Sequence, residues 1–100
     1  MSNTLTLYTA QKNVTTSGTP VQLASHNIPE GAALTIKAKT TNTGTITVGF
    51  SSSTALNSGT EHFKMTAGVG VSLQVRNADA VWLDSTVSGE GVEVIVESTY

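Results

Sequence analysis

Apolar and polar residues alternate with a period of two along most of this chain. The alternation is clearest from Leu34 to Lys39, from Thr45 to Phe50 and from Val69 to Val75. Because successive side chains of a strand point to opposite faces of a sheet, this period predicts β-strands rather than helices. Shorter segments with strand character lie at residues 5–8, 21–23, 60–65, 81–84 and 92–97.

Turn-forming residues separate these segments. Asn42-Thr43-Gly44 predicts a β-hairpin of residues 34–50 with Phe50 in its buried set, and residues 88–91 predict a second hairpin that leads into the last strand. The Ser-, Thr- and Gly-rich stretch 51–59 predicts a surface loop with at most one helical turn. We expect one all-β domain over residues 1–100, with residues 1–4 as an N-terminal arm. Its predicted architecture is a jelly-roll-like antiparallel β-sandwich of about seven or eight short strands, with a barrel as the alternative.

Alternation also assigns each side chain to a face. If the valines and leucine of strands 81–84 and 92–97 face the core, Trp82 and Ile95 face outward. Tyr8 faces outward in the same way when Leu5 and Leu7 are assigned to the core. Exposed aromatic residues are enriched at interfaces, so Tyr8, Trp82 and Ile95 are the candidate partner-contact residues. The alternative is that the loop within 51–65 covers one sheet and buries Trp82 or Ile95.

The titratable residues form no recognisable reaction centre. His26 and His62 are far apart and lie in no metal-ligand spacing, and no Gly-x-Ser-x-Gly motif surrounds any serine. Glu61 adjoins His62, but neighbouring residues of a strand point to opposite faces and no third group is identifiable. We therefore predict a non-enzymatic protein without a catalytic, cofactor-binding or metal site.

Composition narrows the range of partners. With 12% charged residues and a net charge of −2, the chain has no basic field for nucleic acid. It has no cysteine, which fits a reducing compartment, and no apolar run approaching the roughly 20 residues that span a bilayer. We expect neither nucleic acid nor a membrane as a partner.

Several segments, in order, resemble a group of small bacteriophage virion proteins over about four-fifths of the chain. The matching segments are Gly18-Thr19-Pro20-Val21-Gln22-Leu23, Leu34 to Lys39, Asn42 to Gly49, Gly68 to Leu73, and Val81-Trp82-Leu83-Asp84 before a glycine-containing turn and a valine-rich last strand. The resemblance implies a capsid decoration, or cement, protein that is made in the host bacterial cytoplasm and sits on the outer surface of the virion capsid. The implied partners are the major capsid protein and further copies of the chain, as a symmetric homo-oligomer with a trimer preferred to a dimer. No contact residues transfer, because the shared motifs are core and turn positions.

Two other functions remain open at this point. A tail, fibre or head-to-tail adaptor component of the same kind of particle is one alternative. A carbohydrate-binding β-sandwich module is the other, although only five aromatic residues are present to stack on sugar rings.

Overall fold

Eight strands and one short helix make up the part of the chain that the computed structural model describes, residues 5–99. Side chains are described from residue 7 to residue 97, and the predicted arm at residues 1–4 lies outside the described range. The elements are β1 (Leu5–Asn13), β2 (Val21–Gln22), β3 (Ala33–Ala38), β4 (Ile46–Gly49), α1 (Ser52–Ala55), β5 (Phe63–Met65), β6 (Gly70–Leu73), a 3₁₀ turn (Ala78–Ala80), β7 (Trp82–Ser85) and β8 (Gly91–Thr99).

The strands form two antiparallel sheets of four strands each within residues 5–99. The strand order is β1-β8-β3-β6 in the first sheet and β2-β7-β4-β5 in the second. Four of the pairs are nested: β4 pairs with β5, β3 with β6, β2 with β7, and β1 with β8. The chain therefore folds back on itself around the β4–β5 connection. The all-β prediction is confirmed, as is the strand number.

Both predicted hairpins are wrong. β3 and β4 lie in different sheets, and so do β7 and β8, so residues 42–44 and 88–91 cross from one sheet to the other. Asn42 fixes the first crossing, because its buried side-chain amide donates to the Gly91 carbonyl over 2.9 Å. A turn sequence shows that the chain reverses, but strands that face each other across a core alternate in the same way as strands that pair.

Apolar side chains from both sheets form one buried cluster. Leu34 and Ile36 of the first sheet and Ile46 and Leu83 of the second have no exposed surface. The two sheets therefore share a core, which gives a sandwich-like all-β fold. The sequence pattern places Phe50 in this core, and that prediction is wrong. Its side chain is 62% exposed, because β4 ends at Gly49 and the chain turns away there.

The predicted helical turn is present as α1, which packs against β4 and β7. Ser51 caps it by accepting a hydrogen bond from the Thr54 backbone N–H over 3.1 Å. A Cβ at Gly49 would lie 2.7 Å from the Ala55 backbone nitrogen, so the helix approaches β4 too closely for any larger residue. The helix thus covers part of the outer face of the second sheet.

Candidate interaction surface

The first sheet presents an outer face formed by all four of its strands, and we call it the open face. Strand register places rows of residues across it, because directly opposite residues of paired strands point to the same side. One row runs Thr9, Ile95, Thr35, Ser72 and the next runs Gln11, Glu93, Lys37, Gly70. Leu7, Glu97 and Ala33 form a third row.

The open face combines small hydroxyl side chains with a few apolar ones. Ile95 is 41% exposed and Leu7 is 59% exposed. The Thr35 and Ser72 hydroxyl groups lie 2.8 Å apart and share a hydrogen bond. A shallow depression lies over β1, β8 and β3, with Thr9, Thr35 and Ile95 among its lining residues. The face therefore offers a shallow surface with hydrogen-bonding groups around a central isoleucine.

Charge on the open face is nearly balanced. The Lys37 ammonium lies 3.6 Å from the Glu93 carboxylate, and both side chains are about half exposed. Exposed pairs of this kind contribute about 0–1 kcal/mol, so the pair orients the side chains more than it stabilises the fold. The surface consequently has no strong field that would select a highly charged partner.

The structure separates the three predicted contact residues. Ile95 lies on the open face, as predicted. Trp82 alternates with buried Val81 and Leu83 and lies opposite Gly49, so it belongs to the outer face of the second sheet, where it is half-buried. Tyr8 does not face outward, and that assignment is wrong. The role of each residue in an interface stays a prediction.

Tyr8 belongs to the inner side of β1. It lies opposite buried Val96, packs against the core, and stacks on His26 with ring centroids 3.6 Å apart. Its face is set by Val14, which is fully buried and an even number of residues away. Leu7 is correspondingly exposed. Extending the alternation as far as Val14 would have given the right face from the sequence.

Two phenylalanines are exposed that the sequence pattern does not identify as surface residues. Phe50 follows β4 and Phe63 begins β5, where it is 53% exposed opposite Val48. Both lie at the same end of the β4–β5 pair. The signal that could have identified Phe50 is the run of serines directly after it, which ends the strand.

The polar groups that could suggest catalysis have structural partners. The His62 ring Nδ1 lies 3.0 Å from the Leu56 carbonyl, and His26 is stacked on Tyr8. Among residues 5–99, no three His, Asp or Glu side chains converge as metal ligands would. In the same range, no helix is long and apolar enough to cross a membrane.

Asp84 is a fully buried carboxylate that joins three segments of the chain. Its Oδ1 accepts hydrogen bonds from the backbone N–H groups of Gly18 (3.0 Å) and Ser85 (2.8 Å), and its Oδ2 accepts from Asn57 N–H (2.7 Å). The Asn57 side-chain amide extends this network to Ser17 Oγ (3.1 Å) and the Ser85 carbonyl (2.7 Å). The Asp84 carboxylate and the Asn57 amide therefore fasten the loops at residues 15–20 and 56–60 to β7.

Glu90 performs a similar task at the crossing between β3 and β4. Its carboxylate accepts from the backbone N–H groups of Thr43 (2.7 Å) and Gly44 (2.8 Å), and from the Thr43 hydroxyl (2.8 Å). The backbone hydrogen bonds from Thr43 and then Gly44 lower the pKa of Glu90, since they favour its charged form.

Comparison with known proteins identifies no relative. No protein-family model matches the chain, and no curated protein or solved structure is significantly similar to it.

Proposed function

We propose that this protein is a non-enzymatic structural component of a bacteriophage virion that binds the outer capsid surface and stabilises the assembled head. The observation that supports this function best is the open face, which is shallow, carries one lysine against two glutamates (Lys37, Glu93 and Glu97) and is centred on exposed Ile95. Such a surface suits a large, flat protein partner better than a small molecule, which would bind in a deep, enclosed pocket. The resemblance of the sequence to small virion proteins supports the same function.

We also propose that the two sheets form a jelly roll. A jelly roll has eight strands in two sheets and results from rolling up one long antiparallel hairpin. The nested pairs β4–β5, β3–β6, β2–β7 and β1–β8 fit that description, as do the crossings between sheets at residues 42–44 and 88–91. This topology favours the jelly roll over the barrel.

In this proposal the stabilisation of the head comes from binding that exists only in the assembled state. A ligand that binds an assembled state alone stabilises it by mass action, and contacts to several subunits at once add avidity. The partner is the major capsid protein, and the protein acts as a symmetric homo-oligomer. It is made in the host bacterial cytoplasm and located on the capsid surface of the virion.

Cosedimentation of the purified chain with undecorated phage heads tests the proposal. We expect saturation at hundreds of copies per head. The variant Ile95→Glu adds a charge at the centre of the open face and should weaken binding at least about tenfold, as expected for a central interface residue. Phe63→Glu is the matched control, because it makes the same type of change at a comparably exposed position of the other sheet.

Three results would contradict the proposal. Equal binding by Ile95→Glu and wild type would exclude the open face as the contact surface. Saturation at about a dozen copies would favour a ring-shaped adaptor instead. Failure to bind heads, combined with glycan binding that Trp82→Ala abolishes, would favour the carbohydrate-binding alternative.

A further inference from the structure

One edge of the first sheet differs from the other sheet edges in length. β1 has nine residues, whereas the other edge strands β6, β2 and β5 have four, two and three. An edge strand presents a row of unpaired backbone N–H and C=O groups, and a long one is a template for pairing with another chain. Short edges limit such pairing, so within residues 5–99 β1 is the edge best suited to it.

The hydrogen-bond pattern shows which residues of β1 direct their backbone groups away from the sheet. The Val14 N–H donates to the Glu90 carbonyl, while the neighbouring Gly91 carbonyl accepts from Lys39 on the opposite side of β8. In an antiparallel pair these directions alternate residue by residue. The even-numbered residues of β1 therefore bond to β8, and Leu7, Thr9, Gln11 and Asn13 point their backbone groups to the free edge.

β1 also lacks the features that usually protect an edge. Its register with β8 runs without a break from Leu5 opposite Thr99 to Asn13 opposite Gly91, so no bulge twists the edge away. The strand contains no proline, and Lys12 is its one charged residue. Lys12 is an even-numbered residue and so shares the inner side of β1 with Tyr8 and Ala10. Within the described side chains, the outward-directed residues Leu7, Thr9, Gln11 and Asn13 carry neither a charge nor a proline ring that would oppose a second strand.

We propose that two copies of this chain associate through β1, antiparallel and around a two-fold axis at Thr9. Thr9 is the midpoint of Leu5–Asn13, so this axis pairs all nine residues. It sets Thr9 opposite its own copy and Leu7 opposite Gln11, which are all outward-directed residues and can exchange hydrogen bonds. Full pairing gives about ten backbone hydrogen bonds, one N–H and one C=O from each of five residues in both copies.

Electrostatics do not oppose this register. Around an axis at Thr9, Lys12 lies opposite Thr6 of the second copy, so no like charges meet. The result is one continuous sheet of eight strands in which the two open faces become a single surface. This self-association differs from the trimer that the sequence analysis favours, and it does not depend on capsid binding.

A single introduced thiol tests the axis directly, because the chain has no cysteine of its own. In Thr9→Cys the two Cα atoms would lie about 5.5 Å apart in a hydrogen-bonded pair, which is within disulfide range. We expect mild oxidation to cross-link this variant as a dimer. Asn13→Cys is the matched control on the same edge, and there the two thiols would be about 26 Å apart, so it should not cross-link selectively.

Light scattering over a concentration series measures the association itself. Thr9→Pro removes an outward N–H that β8 does not use, so the fold should persist while the dimer dissociation constant rises about 10- to 30-fold. Ser72→Pro is the control at an outward-directed position of the opposite edge strand, β6, and should leave the dimer intact. Thermal unfolding of each variant verifies that it is folded.

Two outcomes would overturn the proposal. If the chain stays monomeric at every concentration and Thr9→Cys gives no selective cross-link, then β1 does not pair with a second copy. A dimer that Ser72→Pro disrupts, or that forms without a Thr9→Cys cross-link, places the contact elsewhere. Because neither experiment uses phage heads, failure of the capsid proposal would not affect the result.

Discussion

Removing the Asp84 carboxylate should destabilise the fold more than any other loss of a single charged group. Asp84 has no exposed surface and accepts three backbone hydrogen bonds, from Gly18, Asn57 and Ser85. In Asp84→Ala these donors lose their acceptor. The loops at residues 15–20 and 56–60 then lose the group that fastens them to β7.

The size of the effect depends on how well water can replace the carboxylate. Ser85 is fully buried, so its unsatisfied N–H costs about 1–3 kcal/mol. Gly18 is exposed and Asn57 half-buried, so water recovers part of their hydrogen bonding. Relief of the burial cost of the carboxylate offsets another part. We expect a loss of about 3–5 kcal/mol, which for a domain of this size lowers Tm by about 15–30 °C.

Chemical denaturation and thermal unfolding measure this loss. Asp79→Ala is the control, because it makes the same change at a half-buried aspartate and should cost only a few tenths of a kcal/mol. Asp84→Asn keeps the shape and one acceptor oxygen, so it should lie between wild type and Asp84→Ala. If Asp84→Ala loses less than about 1 kcal/mol, the three hydrogen bonds do not hold the loops as described.

Three further predictions concern other parts of the fold. Gly49→Ala should displace α1, because its Cβ would collide with the helix backbone, and the measurable result is faster proteolysis of the 50–62 loop. In Glu90→Gln the loss of stability should be largest near neutral pH and should vanish as acid protonates wild-type Glu90 through its lowered pKa, which a pH series of unfolding curves will show. Ile46→Ala should cost about 2–5 kcal/mol by denaturation, whereas Phe50→Ala should stay within about 0.5 kcal/mol.

Each of these predictions has a result that contradicts it. Unchanged proteolysis in Gly49→Ala would mean that α1 accommodates the added methyl group; Gly59→Ala, inside the same loop, is the control for backbone stiffening. A stability difference for Glu90→Gln that grows below the usual carboxyl range near pH 4.5 would have the wrong sign for a lowered pKa. A large loss in Phe50→Ala would show that this ring is buried after all.

The sequence predicts the strands well because each needs only local alternation to be recognised. The segments containing β3, β4, β6, β7 and β8 are all visible as apolar residues at every second position. The sequence pattern assigns the faces of β1 wrongly because the apolar residues of this strand occupy both odd and even positions. A shift of one residue exchanges the core face and the outer face. Val14, beyond the last strand residue, decides between them by being fully buried.

Pairing between strands could not be predicted in the same way. The segments on either side of residues 42–44 have the same pattern whether they pair with each other or face each other across the core. What separates them is a contact distant in sequence, the hydrogen bond from Asn42 to Gly91. The candidate surface depends on this topology. Alternation predicts that Ile95 and Thr35 face outward, but it does not predict that Thr35 and Thr9 lie beside Ile95.

The nested pairing has a consequence for how the chain folds. β8 lies between β1 and β3, so β1 cannot join the first sheet until β8, the last strand of the described chain, has been synthesised. Closing pairs between opposite ends of a chain is entropically expensive, and such topologies fold slowly. During that delay the long β1 strand is unpaired on both of its edges rather than one. We therefore expect aggregation of newly made chains to depend on β1, and chaperones to protect this strand until β8 joins it.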